Sequence, residues 1–120
     1  DGLITAAEIA SMDLGSVECV VLSACETGMG VVRAGEGILG LRRAFRIAGA
    51  RTLVTSLWQT PDNAARLWMR EFYRLRWAEG RSNAEAAHDA SLSRLRLLRR
   101  RGGDTLPLRW ATFVATDDVR

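Results

Sequence analysis

The sequence predicts an α/β domain organised on a mostly parallel sheet. Two stretches, Val17–Leu22 leading to Cys25 and Arg51–Trp58, are short, β-branched and nearly continuous in apolar residues. That is the pattern of strands buried on both faces of a parallel sheet. An amphipathic helix, Gly35 to about Ala48, lies between them. Strand, helix and strand at this spacing make one crossover unit, so the two strands should be parallel neighbours.

The elements follow in order. Thr5-Ala6-Ala7-Glu8 is a capping box that opens a short helix fading near Ser11-Met12, and Gly15-Ser16 is a turn into the first strand. The next helix carries Ile38, Leu41, Phe45 and Ala48 on one face and Arg42, Arg43 and Arg46 on the other, and Gly49 closes it. Thr60-Pro61-Asp62 starts a third helix, with a hydroxyl at the N-cap, proline in the first turn and a carboxylate at the positive dipole end. Its inner face is Ala65, Trp68, Phe72 and Leu75, and Gly80 ends it. Ser82-Asn83-Ala84-Glu85 is a second capping box, opening a helix with Ala84, Ala87, Leu92, Leu95 and Leu98 inward and stopped by Gly102-Gly103. Trp110–Ala115 reads as a last strand. Three strands against four helices leave the buried strands short of cover, so the sheet is expected to be incomplete, with its missing strands upstream.

Whole-chain properties bound the function. The 120 residues suit one modest domain, with no internal repeat and no low-complexity tract. No apolar run approaches the roughly 20 residues that span a bilayer, so no membrane role is expected. The chain opens without Met and without a basic leader, which reads as a piece of something longer. All 17 basic residues are Arg, a bias that reflects codon usage in the source rather than function. A net charge of +3 is too small to imply nucleic acid by itself, and none is expected as a partner of this part. The run Arg94, Arg96, Arg99, Arg100 and Arg101 has no aromatic interleaving and reads as a solvated helix end. Cys19 and Cys25 lie six positions apart on one strand and its exit, where a disulfide would be geometrically awkward, which favours a reduced, cytoplasmic setting.

Cys25 ends the first buried strand, at the sheet edge where open α/β folds bind ligands, and a turn rich in Gly and Thr follows at once. It is read as a nucleophile; the competing reading is a small buried core thiol, which is the reading given to Cys19. A thiol near its ordinary pKa of about 8.5 needs a base or a cationic neighbour to react at neutral pH.

The blocks Leu22-Ser23-Ala24-Cys25-Glu26-Thr27-Gly28, Arg33-Ala34-Gly35-Glu36-Gly37, Gly49-Ala50-Arg51, Ser56-Leu57-Trp58 and the closing Trp110-Ala111-Thr112-Phe113-Val114 resemble the CHAT domain. This is a caspase-like and separase-like cysteine peptidase family, often attached to tetratricopeptide repeats. The likeness runs from about Leu3 to about Val114, so residues 1–120 are read as the carboxyl-terminal half of a CHAT domain. It implies a caspase-like three-layer α/β/α fold with Cys25 as catalytic nucleophile. It also implies a catalytic His in a His-Gly motif on the preceding strand, upstream of this chain. His88, the one histidine here, lies inside a predicted helix far from any strand end and matches no family motif. The chain alone is therefore expected to be inactive.

Gly28 and Gly30, with Gly35 and Gly37, let the loop after Cys25 turn sharply and bring backbone N–H groups toward an oxyanion; a plain strand-to-helix turn competes. In caspase-like folds the segment holding Ser56, Trp58 and Asp62 lines the pocket for the residue before the scissile bond. The resemblance assigns Asp62 to an acidic position that receives Arg or Lys in separase-like relatives, against the alternative of a helix-dipole partner. Glu26 is a second candidate for that pocket, or a solvated loop residue. The expected partner is a protein or peptide substrate, with tetratricopeptide repeats in the parent chain and self-association through an exposed sheet edge. No metal and no cofactor are expected.

Two rivals remain. A phosphate or nucleotide module shares the strand, Gly-rich loop and helix order, but Arg33 stands where the glycine fingerprint needs Gly, and no Gly-Lys-Ser/Thr follows. A phosphatase-like loop would need Arg where Val31 stands, and no Cys-x-x-Cys pair supports zinc or redox chemistry. The other rival is a non-catalytic scaffold that keeps the peptidase fold. The resemblance favours a bacterial-type CHAT endopeptidase that cleaves after a basic residue by acyl transfer to Cys25.

Overall fold

The computed structural model describes residues 4–22, 38–58 and 60–117. Cys25, Glu26, Gly28 and Gly30 fall outside them. The described elements run α1 (Ala6–Ala10), β1 (Cys19–Leu22), α2 (Ile38–Ala48), β2 (Thr52–Ser56), α3 (Asp62–Tyr73), a π-helical turn (Arg74–Ala78), α4 (Asn83–Arg100), a 3-10 turn (Pro107–Arg109) and β3 (Phe113–Asp117).

The sheet has the order β1-β2-β3 and is mixed. β1 and β2 are parallel, with Cys19 beside Thr52 and Leu22 beside Thr55, as the crossover pattern predicts. β3 runs antiparallel to β2, Ser56 facing Phe113 and Thr52 facing Asp117, so a mostly parallel sheet is not what these strands form. The described helices of each connection account for this. One helix returns the chain to the edge it left, so the next strand runs parallel. Two helices, α3 and α4, leave it at the far edge, and β3 must run back.

One core holds the fold together. Val54 and Phe113 from the sheet meet Trp68, Phe72 and Leu75 of α3 and its extension, with Ala86, Ala87 and Ala90 of α4. The small residues of α4 let it approach the aromatic face of α3 closely. Trp68 stacks on Phe72 at 5.2 Å and meets Phe113 at 4.6 Å. Cys19, Val21 and Ala115 pack against this cluster half-buried. On the other face, Leu53 and Thr116 line a small cleft with Arg42, Phe45 and Arg46 of α2. α1 is tied to α2 where Leu14 N–H donates 2.7 Å to the Ala48 carbonyl.

Several sequence expectations hold at the element ends. Both capping boxes form, Thr5 with Glu8 and Ser82 with Glu85. Gly49, Gly80 and Gly102 adopt positive φ at 105°, 64° and 66° after their helices. Other expectations need correction. The residue capping α3 is Pro61, with no side-chain cap, because the Thr60 hydroxyl turns back to the Trp58 carbonyl at 3.3 Å. The last strand starts at Phe113 rather than Trp110, which follows the 3-10 turn with its indole bonded to the Thr105 carbonyl at 2.9 Å. In α4 the buried positions are Ala86, Ala87, Ala90 and Leu95; Ala84 is exposed and Leu92 and Leu98 are half-buried. Among the described side chains of α2 the buried positions are Ala44 and Ala48, with Leu41 and Phe45 half-buried.

Candidate active site

Because β1 and β2 are parallel, their carboxyl ends share one edge of the sheet. Cys25 follows Leu22, the last residue of β1, by three positions in sequence; its own placement, with that of Glu26, Gly28 and Gly30, lies outside the described residues. The edge itself is described from Ser56 onward. Ser56 closes β2 and is buried at 7% exposure, and Leu57 N–H extends the ladder with a 2.7 Å bond to the Thr112 carbonyl. Leu57 then turns outward at 44% exposure, and Trp58 sits half-buried beside it.

Asp62 opens α3 in its first turn and is exposed. Its carboxylate stands at the positive end of the helix dipole, and at this exposure it can also meet a soluble cation. Ser56 thus closes β2, Trp58 lies just beyond it, and Asp62 stands in the first turn of α3.

A groove of about 480 Å3 adjoins this passage. Leu57 and Trp58 form one wall, Trp110 another, and His88, Ser91 and Leu92 of α4 the third. Its lining is mainly apolar, with the imidazole of His88 as the titratable group, and its size suits a large side chain. His88 does lie inside a helix, as the sequence predicts, but it borders the same groove as Trp58 rather than standing far from any strand end. The available signal was the spacing of Ala84, His88, Ser91 and Leu92, which share one side of a helix three to four residues apart.

Cys19, at the opposite end of β1, is a half-buried core thiol as expected. Burial pushes its pKa up, with nearby Arg76 pulling the other way, so it is a poor nucleophile at neutral pH. Among the described residues no group of three or more His, Cys, Asp or Glu is arranged to hold a metal ion. No helix among them is long and apolar enough to cross a membrane.

The described carboxyl end of the sheet therefore offers an apolar groove walled by Leu57 and Trp58, and exposed Asp62 follows in the first turn of α3. The family model of the CHAT domain matches residues 1–118. Tetratricopeptide repeat protein 28 of Mus musculus is 39% identical over 71 residues, which is 59% of this chain and 3% of that protein. Its counterpart in Homo sapiens is 37% identical over 71 residues, again 59% of this chain and 3% of that protein. The chain thus spans about 3% of the length of these curated relatives. No solved structure matches it. With the match running through nearly every residue, the chain belongs to the CHAT domain family.

Proposed function

We propose that this chain is the nucleophile-bearing half of a CHAT cysteine endopeptidase, with the caspase-like layered fold of the family. The observation that carries the reading is the family match over residues 1–118, which includes the Ser-Ala-Cys-Glu-Thr-Gly block that directly follows β1. In this reading Cys25 gives its proton to a histidine outside these residues, and its sulfur attacks the substrate carbonyl. Amides of Cys25 and of the loop holding Gly28 and Gly30 receive the oxyanion. The amine leaves with the proton, and water hydrolyses the thioester to restore the thiol. The chain alone is inactive, because the base comes from outside it.

The substrate is a protein cut after a basic residue. Exposed Asp62 at the carboxyl edge supports this, with Glu26 as a second carboxylate; Ser56 and Trp58 line the approach. The parent protein carries tetratricopeptide repeats in a cytoplasmic setting of bacterial type, and the free side of β1 takes up further strands or a second copy. The test is an acyloxymethyl ketone carrying Arg at its reactive end, applied to the intact protein and to Cys25→Ala. Labelling that disappears in Cys25→Ala supports the reading. A folded protein that takes no label overturns it.

One observation favours a second reading, a CHAT domain that binds without cleaving. The curated relatives are described by their repeats alone. Absence of labelling together with retained binding of the Arg peptide would select it.

A further inference from the structure

The amino-terminal edge of the sheet, opposite the end formed by Ser56, holds a cavity of about 540 Å3. Arginines from separate parts of the chain converge on it: Arg51 just before β2, Arg76 from the π-helical turn and Arg81 just before α4. Thr52 and Asn83 form a fixed floor. Asn83 Nδ2 donates to Thr52 Oγ1 at 3.0 Å, and that hydroxyl donates to Asp117 Oδ1 at 2.6 Å. Asn83 Oδ1 is buried with no donor, which leaves an acceptor unanswered.

The charges around this floor are unevenly matched. Arg76 is largely buried, at 14% exposure, and pairs with Glu18 at 3.1 Å. Arg81 pairs with Asp89 and Glu79. Arg51 is exposed and has no ion pair among the described residues. Its side chain also borders the neighbouring cleft of Arg42 and Arg46, so one basic surface runs from α2 into the cavity. The described part of α2 carries no acidic residue, and Arg42 Nε is buried without an acceptor. The first turn of α4 opens here as well. Its capping box uses the amides of Ser82 and Glu85, and helix geometry leaves those of Asn83 and Ala84 at the positive end.

We propose that this cavity binds an acidic peptide segment in extended form. A carboxylate of the peptide meets Arg51 and the start of α4, where a guanidinium can hold it in two bonds. Glu18 and Asp117 accept backbone N–H groups of the same segment. Those two carboxylates decide the ligand class. A peptide offers both donors and acceptors, whereas a polyphosphate or nucleic-acid backbone offers acceptors alone and has no N–H to give them. The site lies at the opposite end of the sheet from Ser56 and is a docking surface separate from that end.

The test is fluorescence anisotropy of the intact protein with a fluorescein-labelled peptide, Gly-Asp-Glu-Asp-Glu-Asp-Gly. Saturable binding is expected, weakened at least about tenfold by Arg51→Glu, since that removes a charge-assisted bond and reverses its sign. Arg99→Ala with Arg100→Ala, at the far end of α4, leaves it unchanged, as does Cys25→Ala. Arg51 is exposed, so the variant keeps its circular dichroism; Arg81→Ala serves as a second variant and loses affinity in the same direction. No saturable binding overturns the proposal. So does an equal loss in the Arg99 and Arg100 variant, which would mean unspecific attraction. Tripolyphosphate displacing the peptide at lower concentration than unlabelled peptide would make the cavity a phosphate site instead.

Discussion

The indole N–H of Trp68 donates a 3.0 Å hydrogen bond to Ser91 Oγ, which joins α3 to α4 at the centre of the core. Trp68 is only 2% exposed and touches both Phe72 and Phe113. Trp68→Ala should cost about 3–5 kcal/mol by opening a large cavity. Ser91→Ala leaves the buried N–H without an acceptor and should cost about 1–3 kcal/mol. Urea denaturation of both variants checks the ranking. A Ser91→Ala midpoint equal to that of the parent would refute the bond's contribution.

Gly49 and Gly80 both have positive φ, but their surroundings differ. A Cβ at Gly49 would meet backbone atoms of Gly15 at 3.0 Å, whereas a Cβ at Gly80 meets nothing within 4 Å. Gly80→Ala should cost about 1–2 kcal/mol from the left-handed conformation alone. Gly49→Ala carries that cost plus displacement of the Gly15 turn, so it must be the more damaging of the two. Thermal midpoints measured side by side decide it.

Acid should weaken the α3 end in a defined way. Arg74 grips Glu71 through two bonds, at 2.6 and 3.0 Å, and this holds the Glu71 carboxyl below the usual range. The folded state therefore favours the ionised form. That stability is fully present above the ordinary carboxylate pKa and is lost as pH falls through the lowered folded value. Both partners are partly solvated, so the contribution is about 0.2–1 kcal/mol. Glu71→Gln should be destabilising by this amount at pH 7 and indistinguishable from the parent near pH 2.

The two cysteines should react differently with a thiol reagent. Burial raises the Cys19 pKa, so its thiolate is scarce at pH 7.5 and its access is limited. Disulfide-exchange labelling of the folded Cys25→Ala variant should be at least about tenfold slower than after denaturation. Equal rates would show that β1 opens freely at that end.

Trp58 should matter at the carboxyl edge in a way that Trp77 does not. Trp58 forms a wall of the apolar groove, and Trp77 is 69% exposed on the π-helical turn. Trp58→Ala should slow labelling by the Arg-bearing ketone roughly tenfold, as for loss of an aromatic anchor. Trp77→Ala should leave it unchanged. Matching losses in the two variants would remove Trp58 from the substrate path.

Local signals carried much of the fold. The parallel pairing of β1 and β2 followed from two apolar runs and one amphipathic helix, and the capping boxes fixed the starts of α1 and α4. The direction of β3 depends instead on how α3 and α4 pack against each other, which no short window contains. Trp110 reads as strand because aromatic residues favour it, yet its indole is held by the Thr105 carbonyl before β3 begins. At the site, the motif around Cys25 was legible as a resemblance, and Ser56, Trp58 and Asp62 follow one another from the end of β2 into α3. The groove joining His88 to Trp58 was not legible, since its walls are about 30 residues apart and meet only through the tertiary packing of α4 on β3. The basic cavity was hidden for the same reason.

The π-helical turn at Arg74–Ala78 gives the chain a built-in phase shift. Its wider winding ends with Arg81 N–H reaching back to the Leu75 carbonyl at 3.1 Å, which sets Arg76 and Arg81 on one rim. Removing a single residue there would restore ordinary winding and close the bulge on which Arg76 stands. The helix would survive, but the guanidinium rim would come apart. In a family alignment, that turn is where a one-residue gap would separate proteins that keep the rim from proteins that lack it.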